Sequence, residues 1–282
     1  MVPLEGTFDG VGGYRLYYQI WRAEKPPKAS LIIVHGFGEH CGRWRNVLEH
    51  FPPLGYNVYI YDQRGHGKSP GQRGYINDWS EFRSDLGSFI ELVSRDAPDL
   101  PSFLYSQSMG GVVGLDYCLH DPSGLAGYIC SAPGIGKLGV SPALIGLAKV
   151  VDKIWPTFAS QTPIDGNLLS RDAQWVKFVL TDPLSHGQGT ARWLVQFDKT
   201  VDWIHSHAPD WHLPLLLLHG TADGFASIEG SRRFKAGTTY RDVRLIEYEG
   251  GYHELHNDII QSQVFTDVER WLDEHIVLFE RK

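Results

Sequence analysis

The stretch Leu104-Tyr105-Ser106-Gln107-Ser108-Met109-Gly110-Gly111 decides the fold. A short apolar run ends here at a serine, and small residues then open a helical pattern, which is the context of a nucleophile elbow, G-x-S-x-G. The tight turn needs small residues two positions before and two positions after Ser108. Gly110 meets this demand, and Ser106 stands where glycine is usual. Because serine is also small, we expect the elbow to form; the alternative is a plain Ser/Gly-rich turn that opens a helix.

Apolar runs of strand length recur on both sides of this stretch, bounded by Gly, Pro or Asp. They cover residues 30–35, 56–61, 102–105, 125–130, 213–219 and 243–248. Helical patterns lie between them over 43–50, 79–95, 109–120, 227–235 and 259–277. Because most runs are continuously apolar, they predict a mostly parallel sheet with helices on both faces, the α/β class. The alternating run 14–20, after a Gly-rich turn, predicts an antiparallel hairpin at the sheet edge.

The alternation of strands and helices stops between residues 134 and 212. This segment shows no strand pattern and is rich in aliphatic and aromatic residues. We interpret it as a helical cap, or lid, inserted into an α/β core formed by residues 1–133 and 213–282.

One helix of this cap is predicted over 141–155, starting at Pro142, a residue that suits a first helical turn. Leu144, Leu147, Val151 and Ile154 then share one face. The helix has two possible roles. It either simply covers the core, or it forms a lid that lines a channel for an apolar chain of a ligand and touches an apolar surface. For the second case Ile145 and Leu147 are the candidate substrate contacts.

Composition excludes several classes of protein. The 282 residues are 42% hydrophobic and 21% charged, which is ordinary for a globular protein. A net charge of −7 disfavours nucleic-acid binding. An odd number of cysteines, Cys41, Cys118 and Cys130, without a CxxC pair argues against a disulfide framework or a zinc ribbon. With no signal-peptide pattern and no apolar run near 20 residues, we expect a cytoplasmic protein, peripheral to membranes at most.

A serine nucleophile needs a base, and the base needs an orienting carboxylate. In this fold the chain order is serine, acid, histidine. Asp223 follows the predicted strand 213–219, and His253 follows the predicted strand 243–248. The interval from Ser108 to Asp223 leaves room for the cap, and the interval from Asp223 to His253 fits one helix and one strand. The sequence therefore predicts a Ser108–His253–Asp223 triad.

The oxyanion of an acyl-transfer reaction needs two convergent N–H donors. We expect one from Met109, which follows the nucleophile at a helix N-terminus. The other is expected from Phe37, in the loop that follows the strand 30–35. Gly36 and Gly38 flank Phe37 and allow the backbone to approach a substrate closely.

At this point the residues resemble a known family. The stretch His35-Gly-Phe-Gly-Glu-His-Cys-Gly-Arg-Trp44 is similar to the H-G-x-G-E-H-x-G-R-aromatic signature of monoacylglycerol lipase and lysophospholipase-like α/β-hydrolases. Residues 62–71 resemble that family's D-x-R-G-H-G-x-S-x-G loop, and residues 252–257 resemble its histidine loop. Ser106 and Gly224 depart from the family's pattern, and Gly224 leaves the Asp223 loop more flexible. The resemblance implies an α/β-hydrolase fold with a cap and a serine hydrolase of the family's ester substrates.

The resemblance also implies roles for three polar residues. Glu39, Arg43 and His256 match family positions near the glycerol end of the substrate, which makes them candidate contacts to the alcohol. The alternative is a structural ion pair between Glu39 and Arg43, four residues apart. Asp62 and Arg64 look catalytic, but we expect them to hold the loop that follows their strand.

These observations predict a serine ester hydrolase that forms an acyl-enzyme and needs no metal or organic cofactor. The expected substrates are monoacylglycerols or lysophospholipids, with transient membrane-surface contact through the cap and no nucleic-acid partner. One alternative is a small-ester carboxylesterase or thioesterase on the same scaffold. The other is a non-catalytic ligand receptor with a hydrolase fold.

Overall fold

The computed structural model describes residues 2–136, 142–161 and 165–280. In chain order the strands are β1 (Leu4–Asp9), β2 (Arg15–Trp21), β3 (Ala29–Val34), β4 (Tyr56–Tyr61), β5 (Ser102–Gln107), β6 (Gly127–Ser131), β7 (Ala159–Gln161), β8 (Gln188–Thr190), β9 (Leu215–Gly220) and β10 (Val243–Tyr248). The helices are α1 (Arg45–His50), α2 (Ser80–Asp96), α3 (Met109–His120), α4 (Pro142–Ile154), α5 (Ala173–Thr181), α6 (Ala191–Ser206), α7 (Ile228–Gly237) and α8 (Gln261–Glu280).

An eight-stranded sheet in the order β1-β2-β4-β3-β5-β6-β9-β10 forms the centre of the fold. The strands from β4 to β10 in this order run parallel. Every residue of β3, β4, β5, β6 and β9 is buried, which is why these strands are continuously apolar in sequence. Because parallel strands point the same way, the loops after β5, β9 and β10 leave from one edge of the sheet. This confirms the predicted mostly parallel sheet.

The N-terminal hairpin forms one lateral edge of the sheet, where β1 is the outermost strand, as predicted. β1 pairs antiparallel with β2, and β2 pairs antiparallel with β4. Gly12 and Gly13 both have positive φ in the turn between β1 and β2, a conformation that glycine adopts without steric cost. The hairpin therefore closes one edge of the sheet, far in strand order from β9 and β10.

Helices cover both faces of the sheet. On one face α2 contributes a buried stripe that includes Phe82, Leu86 and Phe89. On the other face α8, which falls within the predicted helical range 259–277, contributes Val264 and Trp271. Each such side chain stabilises the fold by roughly 1.5–3 kcal/mol when fully buried.

The predicted insertion (residues 134–212) leaves the sheet after β6 and returns at β9. Its described residues hold α4, α5 and α6 together with β7 and β8, which pair antiparallel as a separate two-stranded sheet. The prediction of no strand in this segment was wrong. Strands of three residues are too short to show an alternating pattern in sequence.

The inner face of α4 also differs from the prediction. Leu147 and Ile154 are 57% and 80% exposed, whereas Ala148 is 7% exposed and packs inward. Ion pairs join α4 to α6 through Asp152 with Arg192 and through Lys149 with Asp198. The predicted apolar face therefore points toward solvent at Leu147 and Ile154, and the side that carries Asp152 and Lys149 contacts α6. Ser141, at the predicted helix start, lies outside the described residues.

No helix in the described part of the chain combines the length and the apolar character needed to cross a membrane. The three cysteines, Cys41, Cys118 and Cys130, are free and buried. Within residues 2–136, 142–161 and 165–280, no group of three or more His, Cys, Asp or Glu side chains is arranged to hold a metal ion.

Candidate active site

Ser108 occupies a strained turn between β5 and α3. Its φ is +54° and its ψ is −120°, a conformation that costs a residue other than glycine on the order of 1–3 kcal/mol. Backbone hydrogen bonds hold it from both sides: its N–H donates to Ser131 O at 3.1 Å, and its carbonyl accepts from Gly111 N and Gly134 N, each at 3.0 Å. The predicted nucleophile elbow is therefore present, and the end of β6 supports it.

Gly110 is required by the packing of the elbow against β3. A Cβ atom at this position would lie 2.2 Å from the carbonyl oxygen of Val34 and 2.5 Å from that of His35. Both contacts are with backbone, which cannot give way cheaply. Glycine thus lets the first turn of α3 touch the end of the neighbouring strand.

Ser106 does more than keep the elbow small. It is fully buried, and its hydroxyl lies 2.6 Å from the hydroxyl of Tyr128. Tyr128 in turn donates to the carbonyl of Gly111 at 3.1 Å, so Ser106 is the donor to Tyr128. The serine that replaces the usual glycine is therefore the first member of a hydrogen-bond chain that ends in the first turn of α3. Sequence reasoning considered only its size.

Asp223 and His253 form a buried hydrogen-bonded pair. His253 Nδ1 lies 2.7 Å from Asp223 Oδ2, and the other carboxylate oxygen accepts from the N–H groups of Phe225 and Ala226 at 2.8 and 2.9 Å. Because Nδ1 faces a carboxylate, it carries the hydrogen, and the lone pair of the neutral ring is then on Nε2. The residue pair thus has the tautomer that a general base needs.

Electrostatics favour the charged forms of this pair. Burial alone would raise the pKa of the Asp223 carboxyl, but the His253 charge and the hydrogen bonds from His219, His253 and Ala226 outweigh it, and its pKa falls below the usual range. Burial alone would lower the pKa of His253, but the charge and hydrogen bond of Asp223 raise it above the ordinary value. The pair can therefore stabilise an imidazolium that forms during a reaction.

Gln107 connects the elbow to the histidine loop. Its side-chain amide donates to the backbone carbonyl of His253 at 3.5 Å, so the residue next to Ser108 contacts the residue expected to act as its base. Ser108, Asp223 and His253 follow β5, β9 and β10 at one edge of the sheet. The three residues, which lie far apart in sequence, therefore lie at the same carboxyl-terminal end of the parallel strands.

The two expected oxyanion donors lie on loops that meet the elbow. Met109 is the first residue of α3, and Phe37 lies in the loop after β3. Among the described residues no acceptor pairs with the N–H of either one. The Phe37 ring packs between His66 of the core and Trp193 of the insertion, with ring centroids 5.9 and 4.4 Å away.

Gly38 fastens the same loop to the insertion. Its carbonyl accepts from the N–H of His186 at 3.0 Å. Gly38 has a φ of +71°, and a Cβ atom there would lie 1.9 Å from the carbonyl oxygen of His186. The loop that carries Phe37 is therefore shaped jointly by the core and the insertion.

A buried polar cluster lies beside His253. Arg43 pairs with Glu254 and donates to Ser185 at 3.1 Å. Glu254 also accepts from Trp175 Nε1 at 2.6 Å and from Asn257 Nδ2 at 3.0 Å. The proposed structural ion pair between Glu39 and Arg43 was wrong, because the Arg43 guanidinium binds Glu254 instead.

Glu39 and His256 are buried, and no residue in the described part of the chain forms an ion pair with either one. Glu39 accepts from the N–H of Gly36 at 3.1 Å, and burial together with the nearby Glu254 raises the pKa of its carboxyl to about 7. His256 stacks on Trp44 with centroids 4.3 Å apart, and neither ring nitrogen has a partner among the described residues. Burial lowers the pKa of His256 to about 4, so the ring is neutral at pH 7.

Asp62 and Arg64 hold their loop, as expected. Asp62 accepts from the N–H groups of Cys41 and Lys68, both at 2.7 Å. Arg64 binds both oxygens of Asp85 at 2.6 and 2.8 Å and also pairs with Glu81. These bonds occupy both side chains fully, and neither points to a reacting group.

The chain matches known proteins in sequence. A family model described as serine aminopeptidase, S33, matches residues 25–260. The chain belongs to this family. A monoacylglycerol lipase of Mycolicibacterium smegmatis is 34% identical to it over 277 residues, which cover 96% of this chain and 98% of that relative.

Solved structures of monoacylglycerol and monoglyceride lipases match the fold closely. The monoacylglycerol lipase of Paleococcus ferrophilus superposes with a TM-score of 0.84 at 32% identity, covering 92% of this chain and 99% of that one. A soluble variant of the monoglyceride lipase of Saccharomyces cerevisiae, in complex with a substrate analogue, gives a TM-score of 0.88 at 25% identity, covering 98% and 96%. These neighbours confirm the predicted monoacylglycerol lipase-like α/β-hydrolase, and the chain is a carboxylic ester hydrolase.

The two apolar residues expected to contact substrate lie on different sides of α4 in this S33-family hydrolase. Ile145 is half-buried, whereas Leu147 belongs to the exposed face. Leu147 as a substrate contact stays a prediction, and its exposure also fits the predicted contact with a lipid surface. The role of Ile145 stays a prediction.

Sequence reasoning missed several residues of the site. Glu254 adjoins His253 and partners Arg43, and Trp175 reaches it from α5 of the insertion. His219 contacts the Asp223 carboxylate at 3.3 Å. The pattern of the histidine loop signalled Glu254, but no sequence pattern signalled the contacts that cross from the insertion.

Proposed function

We propose that this S33-family hydrolase cleaves monoacylglycerols through Ser108, His253 and Asp223. The observation that carries the proposal is the 2.7 Å pair of His253 and Asp223 at the strand edge where the strained Ser108 turn lies. Relatives named monoacylglycerol or monoglyceride lipase over nearly the whole chain support the substrate class.

In the proposed reaction Ser108 Oγ attacks the ester carbonyl while His253 Nε2 takes its proton. Asp223 stabilises the imidazolium, and the N–H groups of Phe37 and Met109 hold the oxyanion. Collapse of the tetrahedral intermediate breaks the ester C–O bond, and His253 returns the proton to the leaving alcohol. Water then attacks the acyl-enzyme by the same route, which releases the fatty acid and restores Ser108.

The buried cluster beside His253 supplies the proposed alcohol side of the site. His256 offers two ring nitrogens without protein partners, and Glu39 offers a carboxyl whose pKa of about 7 lets it donate or accept a hydrogen bond. Both suit the hydroxyls of glycerol. Arg43 is occupied by Glu254 and Ser185, so we assign it a supporting part in place of a direct contact.

We also propose that the insertion 134–212 serves as the cap over the acyl chain and that α4 touches lipid surfaces. The exposed side chains of Leu147, Val150, Ile154 and Trp155 form an apolar face. Each CH₂ that leaves water contributes roughly 0.8 kcal/mol. Because α4 has 13 residues and carries charges, the contact would be interfacial, with α4 lying in the membrane plane.

The test is a hydrolysis panel with the intact protein and its Ser108→Ala variant. The panel holds monoacylglycerols, lysophospholipids, p-nitrophenyl esters of graded length and an acyl thioester. We expect the highest kcat/KM on a monoacylglycerol and covalent labelling of Ser108 by a fluorophosphonate. Preference for lysophospholipid, for a two-carbon ester or for a thioester would overturn the proposed substrate.

The same labelling experiment separates an enzyme from a receptor. A ligand receptor on this fold would bind monoacylglycerol without releasing fatty acid and without acylation of Ser108. Absence of both label and turnover, in a protein that melts cooperatively, would reject the proposed triad.

A further inference from the structure

His219 lies behind the proposed triad, at the end of β9. It is fully buried and precedes Asp223 by four residues. Its Nε2 lies 2.9 Å from the carbonyl oxygen of Ala226 and 3.3 Å from Asp223 Oδ2. Its Nδ1 lies 2.8 Å from the hydroxyl of Ser231 on α7. The ring thus spans from α7 to the carboxylate that faces His253.

The partners fix the hydrogen on the His219 ring. Both atoms that face Nε2 are acceptors, so Nε2 carries a hydrogen. Its hydrogen bond goes to the carbonyl of Ala226, and the Asp223 carboxylate lies 3.3 Å away as a second, electrostatic partner. In the neutral ring Nδ1 then accepts from the hydroxyl of Ser231. Asp223 Oδ2 therefore faces two imidazole nitrogens: His253 Nδ1, hydrogen-bonded at 2.7 Å, and His219 Nε2 at 3.3 Å.

The bond to Ala226 closes the loop that carries Asp223. Ala226 donates its N–H to Asp223 Oδ1, which closes the loop on itself. The carbonyl of Ala226 accepts from His219, which joins the loop to the end of β9. Within the loop Phe225 packs against the His253 ring with centroids 5.3 Å apart. Gly224, which alone would leave the loop loose, lies inside this closed arrangement.

We propose that His219 is a positioning residue that fixes the Asp223 carboxylate and, through it, the ring of His253; this rests on the proposed function of the triad. It does not touch the substrate. It sets the orientation of the carboxylate plane, because Oδ2 must meet His253 and His219 together while Oδ1 meets two backbone N–H groups. Ser231 acts one step further out, because its hydroxyl holds the Nδ1 side of the His219 ring.

Two amide substitutions at His219 test its contact to Asp223 and its contact to Ser231 separately. In His219→Gln the side-chain nitrogen reaches the place of Nε2 and can donate to Asp223, but the contact to Ser231 is lost. In His219→Asn the nitrogen reaches only the place of Nδ1, so the contact to Ser231 is kept and the contact to Asp223 is lost. Both variants are smaller than histidine, and each is a matched control for the other.

We expect His219→Asn to lower kcat about tenfold with KM within twofold of the parent, since a misplaced supporting group typically costs that much or more. His219→Gln should stay within about threefold of the parent. The low-field proton resonance of His253 Nδ1–H should weaken or shift in the asparagine variant and persist in the glutamine variant. Turnover is measured on monooleoylglycerol and p-nitrophenyl butyrate, with thermal melts of every variant.

Equal kcat in the two amide variants, or an unchanged resonance in His219→Asn, would overturn the proposal. If either variant fails to fold, Ser231→Ala tests the same ring from the other side. It removes the hydroxyl that donates to His219 Nδ1 and so leaves the ring less firmly held. It should therefore lower kcat and shift the resonance; an unchanged kcat and resonance would count against the role. Ser108→Ala in parallel tests the triad itself: activity in that variant rejects the proposed function independently of His219.

Discussion

The sheet edge that carries Ser108 and the outer face of α4 are built in opposite ways. Ser108 has an unfavourable φ, and backbone bonds from β6 and α3 hold it there. The α4 face presents Leu147 and Ile154 to solvent and is joined to α6 mainly along its other side. The comparison shows two different structural requirements. A reacting group must be held in one position by several hydrogen bonds, even in a strained conformation. A surface that contacts lipid needs exposed apolar side chains and no tight packing around them.

The largest expected effect is at the sheet edge. Ser108→Ala and His253→Ala should each lower kcat by roughly 10⁶ if the pair acts as in other triads, and the double variant should be no slower than either single one. Steady-state hydrolysis of p-nitrophenyl butyrate measures this. A double variant far slower than both singles would mean that the two residues act separately.

Asp223→Asn should lower kcat by about 10⁴, because the amide can leave His253 in the wrong tautomer while the geometry persists. The same assay applies, with Asp202→Asn as the control for loss of a carboxylate elsewhere. An effect smaller than tenfold would assign the acid to another residue.

Acid should destabilise the junction between core and insertion more than the sheet edge itself. Burial lowers the pKa of His35 and His186 to about 4 and holds that of His66 well below its ordinary value. As pH falls from 6.5 toward 4, these histidines become protonated in the unfolded chain but stay neutral in the folded protein. The free energy of unfolding therefore falls by about 1.4 kcal/mol per pH unit for each proton that only the unfolded chain binds. Glu39, with a pKa of about 7, and His253, whose pKa is raised, oppose this change, whereas His256, with a pKa of about 4, adds to it.

Thermal melts at pH 7 and pH 5 test this expectation. The Tm should be lower at pH 5, and His186→Gln, which removes one of the rings, should show a smaller difference than the parent protein. A Tm that is equal or higher at pH 5 would contradict the buried neutral state of these histidines.

Ser106 variants test whether the elbow needs the hydroxyl of this serine or only its small size. Ser106→Ala keeps the Cβ atom and removes the donor to Tyr128, so we expect a loss of about 1–2 kcal/mol in the free energy of unfolding with kcat retained within tenfold. Ser106→Gly restores the usual elbow residue and should also remain active. Urea unfolding and the ester assay measure both variants; a loss of activity in either one beyond the change in stability would give the hydroxyl a part in turnover.

The smallest expected effect is on α4. Leu147→Ser with Ile154→Ser should lower activity on long-chain monoacylglycerol a few-fold, weaken co-sedimentation with liposomes, and leave the Tm nearly unchanged, because both side chains are exposed. Ile145→Ser is the matched control on the packed side and should lower the Tm instead. Equal losses on butyrate and long-chain esters would assign α4 to structural support alone.

Most of the fold could be predicted from local patterns. The predicted ranges 56–61, 109–120 and 243–248 coincide with β4, α3 and β10. β5 extends two residues beyond its predicted end, because Ser106 and Gln107 pair with Cys130 and Ser131 of β6. That pairing carries the strand up to the nucleophile, and no pattern within the strand itself predicts it.

The sequence by itself determined the parallel sheet, the elbow and the order of Ser108, Asp223 and His253, because these depend on apolar runs, small residues and chain order. Tertiary structure alone decided which partners the buried charges took. Arg43 pairs with Glu254 instead of Glu39. The charged side of α4 contacts α6, and His219 lies beside Asp223. Such choices depend on distances between segments far apart in the chain, where a buried charge or N–H group must find a partner and only the assembled fold provides one.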